Sequence, residues 1–438
     1  MAVETLIHDV DQINPYKHYG KVTQVVGLMI ESKGPQASVG DLCYILVGKQ
    51  SRRKIMVEVV GFKGEHVLLM PFDNVEEIAP GSLVEATRAA LQVKVGASLI
   101  GRVVDGIGRP LEGEQPPNGL TPFPTNNRPP NPLSRPRITE PLSLGVRAID
   151  SLFTVGKGQR VGIFAGSGVG KSTMMAMIAK NSEADINVIA LIGERGREVR
   201  DFIERDLGEE GLKNTIVVVA TSDQPALMRI KGALTATAIA EFFRNQGQNV
   251  NLMMDSVTRV AMAQREVGLA VGEPPTTKGY TPSVFSILPQ LLERSGTNGS
   301  GTITAFYTVL VDGDDLNEPI ADAVRGILDG HLVLDRELAN KGQFPAINVL
   351  NSVSRVMNDV VSDQQKKAAD RLRNLLATYH DNEDLINIGA YKRGSNKELD
   401  KAIKLQPKIT SFLKQETDES VTYDESVTRL INEFTKGE

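Results

Sequence analysis

The sequence predicts an α/β protein whose parallel, doubly wound central sheet lies between an N-terminal β domain and a C-terminal helical domain. Three observations support this fold class. Apolar runs alternate with amphipathic helical stretches after Gln159, short β-type runs precede them, and helical spacing follows them. At 438 residues the chain is too long for one ordinary hydrophobic core, so we expect two or three domains.

The first of these regions, residues 19–86, contains short β-type runs separated by Gly, Pro and Asn turns. The runs are Lys21–Ile30, Leu42–Val47, Lys54–Phe62 and His66–Pro71. This spacing predicts a small β-barrel or a β-sandwich.

Next comes a segment rich in proline and asparagine, residues 110–141. Proline removes a backbone donor and fixes φ, so we expect no regular element there. Residues 93–104 already read as a strand before it. The segment is therefore interpreted as an ordered crossover that lies on the following domain.

The predicted central α/β domain follows. Its apolar runs are Arg160–Phe164, Val188–Ile192, Ile216–Ala220, Asn251–Met254 and Thr302–Leu310. Fully apolar strands that alternate with helices indicate a parallel sheet covered on both faces. After Val360, apolar residues recur at helical spacing from Ala368 to Tyr379, and again over Lys397–Leu413 and Glu425–Phe434, which predicts a helical tail.

Composition excludes several classes of protein. A net charge of -5 gives no global reason to bind nucleic acid. Cys43 is the single cysteine, so no intramolecular disulfide can form, and we expect a buried thiol in a cytoplasmic protein. Apolar runs fall short of the ~20 residues of a membrane-spanning helix, and the N-terminus lacks the features of a secretory signal.

The sharpest motif is a glycine-rich loop between an apolar strand and a helix. It consists of Ala165, Gly166, Ser167, Gly168, Val169, Gly170, Lys171, Ser172 and Thr173. Glycines let backbone N–H groups and the helix N-terminus converge on phosphate oxygens, Lys171 supplies charge to the β and γ phosphates, and Ser172 can bind Mg²⁺. The strict pattern begins with glycine, where this chain has Ala165.

Two acidic residues follow other strands of the predicted sheet. Asp255 ends the run NLMMD, and Glu194 follows VIALIG. Because ligands of open α/β sheets bind at the carboxyl ends of the strands, we expect Asp255 to hold Mg²⁺ and Glu194 to orient the attacking water. Taken alone, Asp255 is a strand-ending residue and Glu194 belongs to a solvated helix start, with Arg195 and Arg197 as ion-pair partners.

Together, the long motifs of the chain resemble those of the type III secretion ATPases, which comprise the flagellum-specific ATPases of bacterial protein export and their injectisome relatives. They are similar to the catalytic subunits of rotary ATP synthases. The motifs are AGSGVGKST, GERGREV, SDQPALMR, MMDSVTRVAMAQRE, GEPPTTKGYTPSVFSILPQLLERSG, VDGDDLNEPIADAVRGILDGHLVLDR and FPAINVLNSVSR, and the resemblance covers nearly the whole chain.

The resemblance implies a fold and three site residues. It implies an N-terminal β-barrel (19–90), a RecA-like nucleotide-binding domain (91–360) and a C-terminal helical domain (361–438), with residues 1–18 binding a regulator. Glu194 matches the catalytic glutamate of GER, and Arg355 matches the arginine finger of SxSR. Phe344 matches the aromatic residue that stacks on adenine, although a core aromatic is an equal alternative.

The resemblance also implies partners and a cellular role. These are a homohexamer, a stalk, regulators, export substrates and chaperones, and a peripheral position at the export gate on the inner face of the cell membrane. Asp312, Asp314, Asp315 and Asn317 match residues near the central pore, with a hydrated loop as the alternative. The predicted function is Mg²⁺-dependent ATP hydrolysis that energises flagellar protein export.

Three alternatives to that role differ in what they require. An injectisome ATPase shares every motif. A rotary synthase β subunit would lack the finger and need an α partner, whereas this chain carries both Glu194 and Arg355. A hexameric RNA translocase would need a basic or aromatic single-strand surface, and the chain has no tryptophan and an acidic balance.

Overall fold

The computed structural model describes residues 18–48, 53–73, 77–111, 115–311 and 315–435. Its strands are β1 Tyr19–Val26, β2 Met29–Lys33, β3 Asp41–Val47, β4 Arg53–Lys63, β5 His66–Pro71, β6 Leu83–Ala90, β7 Gln92–Val95, β8 Val103–Asp105, β9 Thr121–Pro124, β10 Arg160–Ala165, β11 Ile186–Ile192, β12 Thr215–Ala220, β13 Asn249–Asp255, β14 Gly296–Thr297, β15 Thr302–Leu310, β16 Gly330–Leu334 and β17 Val353–Ser354.

The helices follow the same order. They are α1 Arg147–Leu152, α2 Lys171–Asn181, α3 Gly196–Asp201, α4 Gly208–Leu212, α5 Ala226–Asn245, α6 Val257–Ala270, α7 Pro282–Leu292, α8 Pro319–Ile327, α9 Arg336–Asn340, α10 Met357–Val360, α11 Asp363–His380, α12 Glu383–Asn387, α13 Lys397–Leu413 and α14 Tyr423–Phe434. Short helical turns cover Ala97–Leu99, Pro132–Ser134, Phe202–Leu207 and Thr277–Gly279. Within the described ranges, none of the helices combines the length and apolar character that crossing a lipid bilayer requires.

Strands β1 to β6 form a closed antiparallel barrel in the order β1-β2-β5-β4-β3-β6. Pairing of β1 with β6 closes it, and closure removes the free edges that a sandwich would leave. Side chains that include Ile30, Cys43, Val57, Leu69 and Val84 fill its interior. The barrel alternative of the sequence prediction is therefore confirmed.

One predicted strand of the barrel is wrong. The run Lys21–Ile30 is divided into β1 and β2 by a turn at Gly27, whose φ is 57°. Glycine adopts this left-handed conformation without steric cost, so the chain reverses there and the two halves pair with each other.

Cys43 is fully buried in the barrel, and burial, aided by the negative charge of Asp41, raises the pKa of its thiol to about 11. Alkylation requires an accessible thiolate. We expect iodoacetamide at pH 8 to label native protein very slowly, and to label it fully in urea, as measured by mass spectrometry. Complete labelling of the native protein within minutes would contradict this packing.

The barrel is followed by the predicted α/β domain, whose sheet has the strand order β17-β16-β10-β15-β13-β11-β12-β8. Strands β8, β10, β11, β12, β13, β15 and β16 pair in parallel. Two short strands are antiparallel additions: β17 pairs with β16 at the edge of the sheet, and β14 pairs with the first residues of the interior strand β15. Alternate residues of β11 face two different cores. Val188 and Ala190 join a core with α5 and α6, and Ile189 and Leu191 join a core with α2. The doubly wound sheet is confirmed.

Two predictions before this sheet need correction. Residues 93–104 do not form one strand, because the turn Ala97–Leu99 separates β7 from β8. Strand β9 also lies inside the proline-rich segment, where no regular element was expected. Among the residues that the structure describes, it pairs with β7 alone, and an edge position tolerates the missing donors of proline. The segment does lie on the following domain, since Arg135 Nη1 donates to Ser295 O at 2.7 Å.

The C-terminal helices α11, α13 and α14 form where the helical spacing predicted them. They pack on one another and on α1, and the rings of Phe412 and Phe434 meet edge to face at 5.6 Å. The predicted domain limits at residues 90 and 360 remain predictions. The predicted regulator-binding segment 1–18 lies outside the described residues, apart from His18.

Candidate nucleotide site

The glycine-rich loop connects the carboxyl end of β10 to α2, as predicted. Gly168 and Gly170 have φ of 79° and 87°, and Gly170 is the residue that caps α2. Positive φ at both positions turns the chain back on itself ahead of the helix N-terminus, the arrangement that suits a phosphate group. Helix α2 starts at Lys171, so Ser172 lies in its first turn and Thr173 follows.

Ala165 departs from the strict motif without disturbing the loop. It is the last residue of β10, is fully buried, and pairs with Leu310 and Leu334 of the neighbouring strands. Its carbonyl accepts a hydrogen bond from Val311 N at 3.2 Å. Because residue 165 has regular strand conformation here, the conformational freedom of glycine is not needed.

Lys171 and Asp255 are brought together at the carboxyl edge of the sheet. Lys171 Nζ lies 2.6 Å from Asp255 Oδ1, and the Asp255 side chain is only 4% exposed. Thr308 Oγ1 donates to the same carboxylate oxygen at 2.8 Å. Asp255 is the last residue of β13, and its buried carboxylate is held by both Lys171 and Thr308.

Glu194 joins this pair. It follows β11 through Gly193, whose φ is 72°, and its Oε1 lies 3.7 Å from Lys171 Nζ with the side chain 16% exposed. Burial raises the pKa of Glu194 to about 7, the charge of Asp255 acts in the same direction, and the Lys171 ammonium opposes both. The solvated-helix interpretation is excluded for Glu194, and a carboxylate with such a pKa suits proton chemistry near neutrality.

The arginines beside Glu194 differ from it. Arg195 and Arg197 have side chains 82% and 91% exposed and lie 3.3 and 3.7 Å from Glu198 and Asp201. Exposed pairs of this kind contribute little to stability. The structure favours the ion-pair interpretation of these two residues.

Phe344 lies beside the phosphate loop. Its side chain is 45% exposed, and a Cβ atom added to Gly170 would lie 3.4 Å from Phe344 Cδ1. The core-aromatic alternative is therefore excluded, because an open ring next to the loop is not part of a hydrophobic core. Its stacking on a base stays a prediction.

Arg355 is not part of this cluster within one chain. It follows β17, and Ser354 pairs with Gly330, the first residue of β16. Its backbone N donates to Asp329 O at 3.0 Å, and its side chain is exposed. Strand β16 runs from Gly330 to Leu334 in parallel with β10, so its first residue lies at the edge of the sheet opposite the phosphate loop. At a rise of ~3.3 Å per residue, the backbone of Arg355 is therefore more than ~13 Å from the carboxyl edge where that loop begins.

Two further residues of the site were not predicted. Thr308 holds Asp255, and Arg259 packs on Gly193, where an added Cβ would come within 2.8 Å of Arg259 Cβ. A hydroxyl inside the apolar run of β15 was the available signal for Thr308. Arg259 offered none, because helix positions do not reveal which loop they touch.

The pore-loop prediction is only partly accessible. Asp312 and Asp314 lie outside the described residues. Asp315 and Asn317 are exposed, and Asn317 N donates to Asp315 Oδ1 at 2.9 Å in a local turn. This geometry fits the hydrated-loop alternative, and a role near a pore stays a prediction.

The donor set at the edge suits Mg²⁺ when a nucleotide supplies the remaining ligands. Ser172 and Asp255 offer hard oxygen atoms, which Mg²⁺ prefers. No group of three or more His, Cys, Asp or Glu side chains in the described part of the chain is arranged to hold a metal by itself. Mg²⁺ bound with phosphates needs only one or two protein ligands, so these residues fit it.

A cleft of about 800 Å³ lies beside α2. Its walls are α2, which contributes Thr173 and Lys180, the segment 205–211, and the C-terminal segment with Thr417 and Asp418. The cleft is thus built by both the α/β domain and the helical domain.

Comparison with protein families gives three matches that together span most of the chain. Residues 145–354 match the nucleotide-binding domain of the ATP synthase alpha/beta family, and residues 22–88 match the beta-barrel domain of that family. Residues 361–432 match the T3SS EscN ATPase C-terminal domain.

Individual proteins are similar over the full length. A flagellum-specific ATP synthase of Bacillus subtilis (strain 168) is 66% identical over 432 residues, covering 99% of both chains. A type 3 secretion system ATPase of Xanthomonas euvesicatoria is 49% identical, covering 95% of this chain and 94% of its own. The structure of the assembled ATPase EscN in complex with its central stalk EscO, from enteropathogenic E. coli, matches with a TM-score of 0.87 at 47% identity, over 95% of this chain and 100% of the other.

Proposed function

The chain belongs to the flagellum-specific and type III secretion ATPases of the ATP synthase alpha/beta family, and on that premise we propose that it hydrolyses Mg²⁺-ATP to energise flagellar protein export. The observation that carries this proposal is the convergence of Lys171, Asp255 and Glu194. The Lys171 ammonium lies 2.6 Å from Asp255 and 3.7 Å from Glu194, beside a glycine loop at a helix N-terminus.

Each residue has a distinct task in this mechanism. The loop amides and Lys171 hold the β and γ phosphates, which releases Lys171 from its ion pair with Asp255. Glu194 orients a water molecule and accepts its proton as the water oxygen attacks the γ phosphorus. The bond from that phosphorus to the bridging oxygen breaks, and ADP departs with the electron pair.

Asp255 and Ser172 would hold Mg²⁺, with Thr308 orienting the Asp255 carboxylate. When bound, the ion neutralises charge on the phosphate oxygens. The exposed ring of Phe344 would stack on the adenine base.

Arg355 supports assembly into a ring of identical subunits. It lies at the sheet edge opposite its own phosphate loop, so it can complete only the site of a neighbour. Because the same chain carries Glu194, every interface of a homohexamer would contain a complete site. This argues against a rotary β subunit, which needs a second subunit type.

Flagellar service is favoured over the injectisome by identity, 66% against 49% for the relatives named above. By analogy with EscN and its stalk, the ring would bind a central stalk. Regulators, export substrates with their chaperones, and a peripheral position at the export gate of the cell membrane complete the proposal.

The export role is tested by deleting the gene in its flagellated host and complementing with wild-type or Glu194→Gln protein. We expect swimming and filament growth to return only with the wild type. Motility that survives deletion while effector secretion is lost would assign the injectisome instead. Stimulation of ATP hydrolysis by single-stranded RNA would favour a translocase.

The pKa of Glu194 leads to a pH prediction. A base must be deprotonated, and a pKa of about 7 leaves Glu194 mostly protonated at pH 6 and mostly ionised at pH 8. We expect kcat/KM for Mg²⁺-ATP to fall about tenfold per unit as the pH drops below 7. Because Glu198 also raises this pKa, Glu198→Gln should move the fall to lower pH. A fall that stays in place belongs to another group, such as the nucleotide.

A further inference from the structure

Phe344 is tied to the C-terminal helical domain by a backbone hydrogen bond. Gln415 N donates to Phe344 O at 2.9 Å. Gln415 lies just after α13, whereas Phe344 belongs to the α/β domain and packs beside Gly170 of the phosphate loop. The place of the exposed ring therefore depends on how residue 415 is held.

The side chain of Gln415 is itself held on three sides. It is 5% exposed, and its Oε1 accepts from Arg147 N at 2.8 Å. Its Nε2 donates to Gly145 O at 2.8 Å and to Glu419 O at 2.9 Å. A buried amide is costly to leave unpaired, so these bonds fix residue 415 on the chain that enters α1.

Arg147 reinforces the same contact. Its guanidinium is buried and donates to Phe412 O at 3.3 Å, to Lys414 O at 2.9 Å and to the Glu419 carboxylate. These partners all belong to the segment 412–419, which continues into the wall of the cleft beside α2. The hydrogen bonds of Gln415 and Arg147 thus hold both Phe344 and the neighbouring wall of the cleft in place.

We propose that Gln415 is a positioning residue that couples docking of the C-terminal helical domain to binding of the nucleotide base. Its side-chain amide locks the segment after α13 to the α/β domain, and its backbone N–H then sets the position of Phe344. Linkage is reciprocal, so a bound base strengthens docking of the helical domain. This inference rests on the proposed function, because it concerns the base end of the same site.

The chain offers a matched control in Gln365. It is 1% exposed and joins the same two domains, with Nε2 donating to Asp150 O, Ser151 O and Thr154 Oγ1, and Oε1 accepting from Tyr423 OH. Its partners belong to α1, the residues after it and α14, not to the segment 412–419. Methionine at either position keeps the approximate side-chain length and removes every side-chain hydrogen bond, while the backbone bond from residue 415 to Phe344 O can still form.

We expect Gln415→Met to raise KM and Kd for Mg²⁺-ATP about tenfold while kcat stays within about twofold. Both variants should lower the Tm by similar amounts, because each loses buried side-chain hydrogen bonds, but Gln365→Met should leave KM within about twofold of the wild type. Magnesium tripolyphosphate, which has no base, should bind both variants as tightly as it binds the wild type. In a Phe344→Ala background, Gln415→Met should add little further loss of ATP affinity.

Three results would overturn the inference. The KM of Gln415→Met could equal that of Gln365→Met, tripolyphosphate affinity could fall together with ATP affinity, or the losses from Gln415→Met and Phe344→Ala could add in full. If Gln415→Met does not fold, Gln415→Glu keeps the acceptor for Arg147 N and loses both donations, and an unchanged KM there would refute it. A wild type that fails to hydrolyse Mg²⁺-ATP would instead refute the proposed function.

Discussion

Replacing Lys171 by alanine is expected to abolish ATP hydrolysis, with kcat/KM lowered by about three orders of magnitude or more. The Lys171 ammonium lies 2.6 Å from the Asp255 carboxylate and 3.7 Å from the Glu194 carboxylate. The side chains of Asp255 and Glu194 are 4% and 16% exposed, respectively. Its removal leaves two poorly solvated carboxylates facing the place where the γ phosphate must enter. Repulsion then replaces attraction, and both binding and turnover are lost.

The matched control is Lys157→Ala. Lys157 Nζ also forms an ion pair, at 2.8 Å from Glu140, but it precedes β10 at the opposite edge of the sheet. We expect wild-type hydrolysis from that variant, measured as phosphate release under saturating Mg²⁺-ATP. Titration with a fluorescent ATP analogue separates binding from turnover. Tight ATP binding by Lys171→Ala would contradict the assigned role of the loop.

The central strands could be predicted because their apolar composition indicates that they are buried. Strands β10, β11, β12, β13 and β15 are largely apolar runs, and the structure buries almost every residue in them. The short strands β16 and β17 were missed. Strand β16 alternates buried and half-buried residues over only five positions, and β17 has only two residues. Both are too short for a periodic hydrophobic pattern to identify them as strands.

The site was predictable to the extent that topology alone decides it. In a parallel sheet the ends of β10, β11 and β13 share one edge, which brings Lys171, Glu194 and Asp255 together. Contacts that cross domains follow no such rule. Gln415 and Arg147 are 268 positions apart in the sequence, and no spacing pattern relates them.

Arg355→Ala and Glu194→Gln are each expected to reduce turnover about a thousandfold as pure proteins, while both still bind Mg²⁺-ATP. Glu194→Gln removes the carboxylate that we propose accepts the proton of water. Arg355→Ala removes the cation that we propose stabilises the developing negative charge, and leaves the loop, Lys171 and Asp255 in place. Each homogeneous ring would therefore lack one component at every interface.

If Arg355 acts on the neighbouring subunit, as its place at the sheet edge opposite its own loop favours, mixing the two variants should restore activity. An Arg355→Ala subunit keeps Glu194, and an adjacent Glu194→Gln subunit supplies Arg355. In a randomly mixed ring at equal ratio, about one quarter of the interfaces combine the two intact groups. Phosphate release should peak when the two variants are mixed in equal amounts. The control is a mixture of Glu194→Gln with Lys171→Ala, which should restore no activity, because each of these subunits lacks a residue on the phosphate-loop side of the interface. No recovery at any ratio, in samples shown to exchange subunits, would mean that Arg355 does not act across an interface.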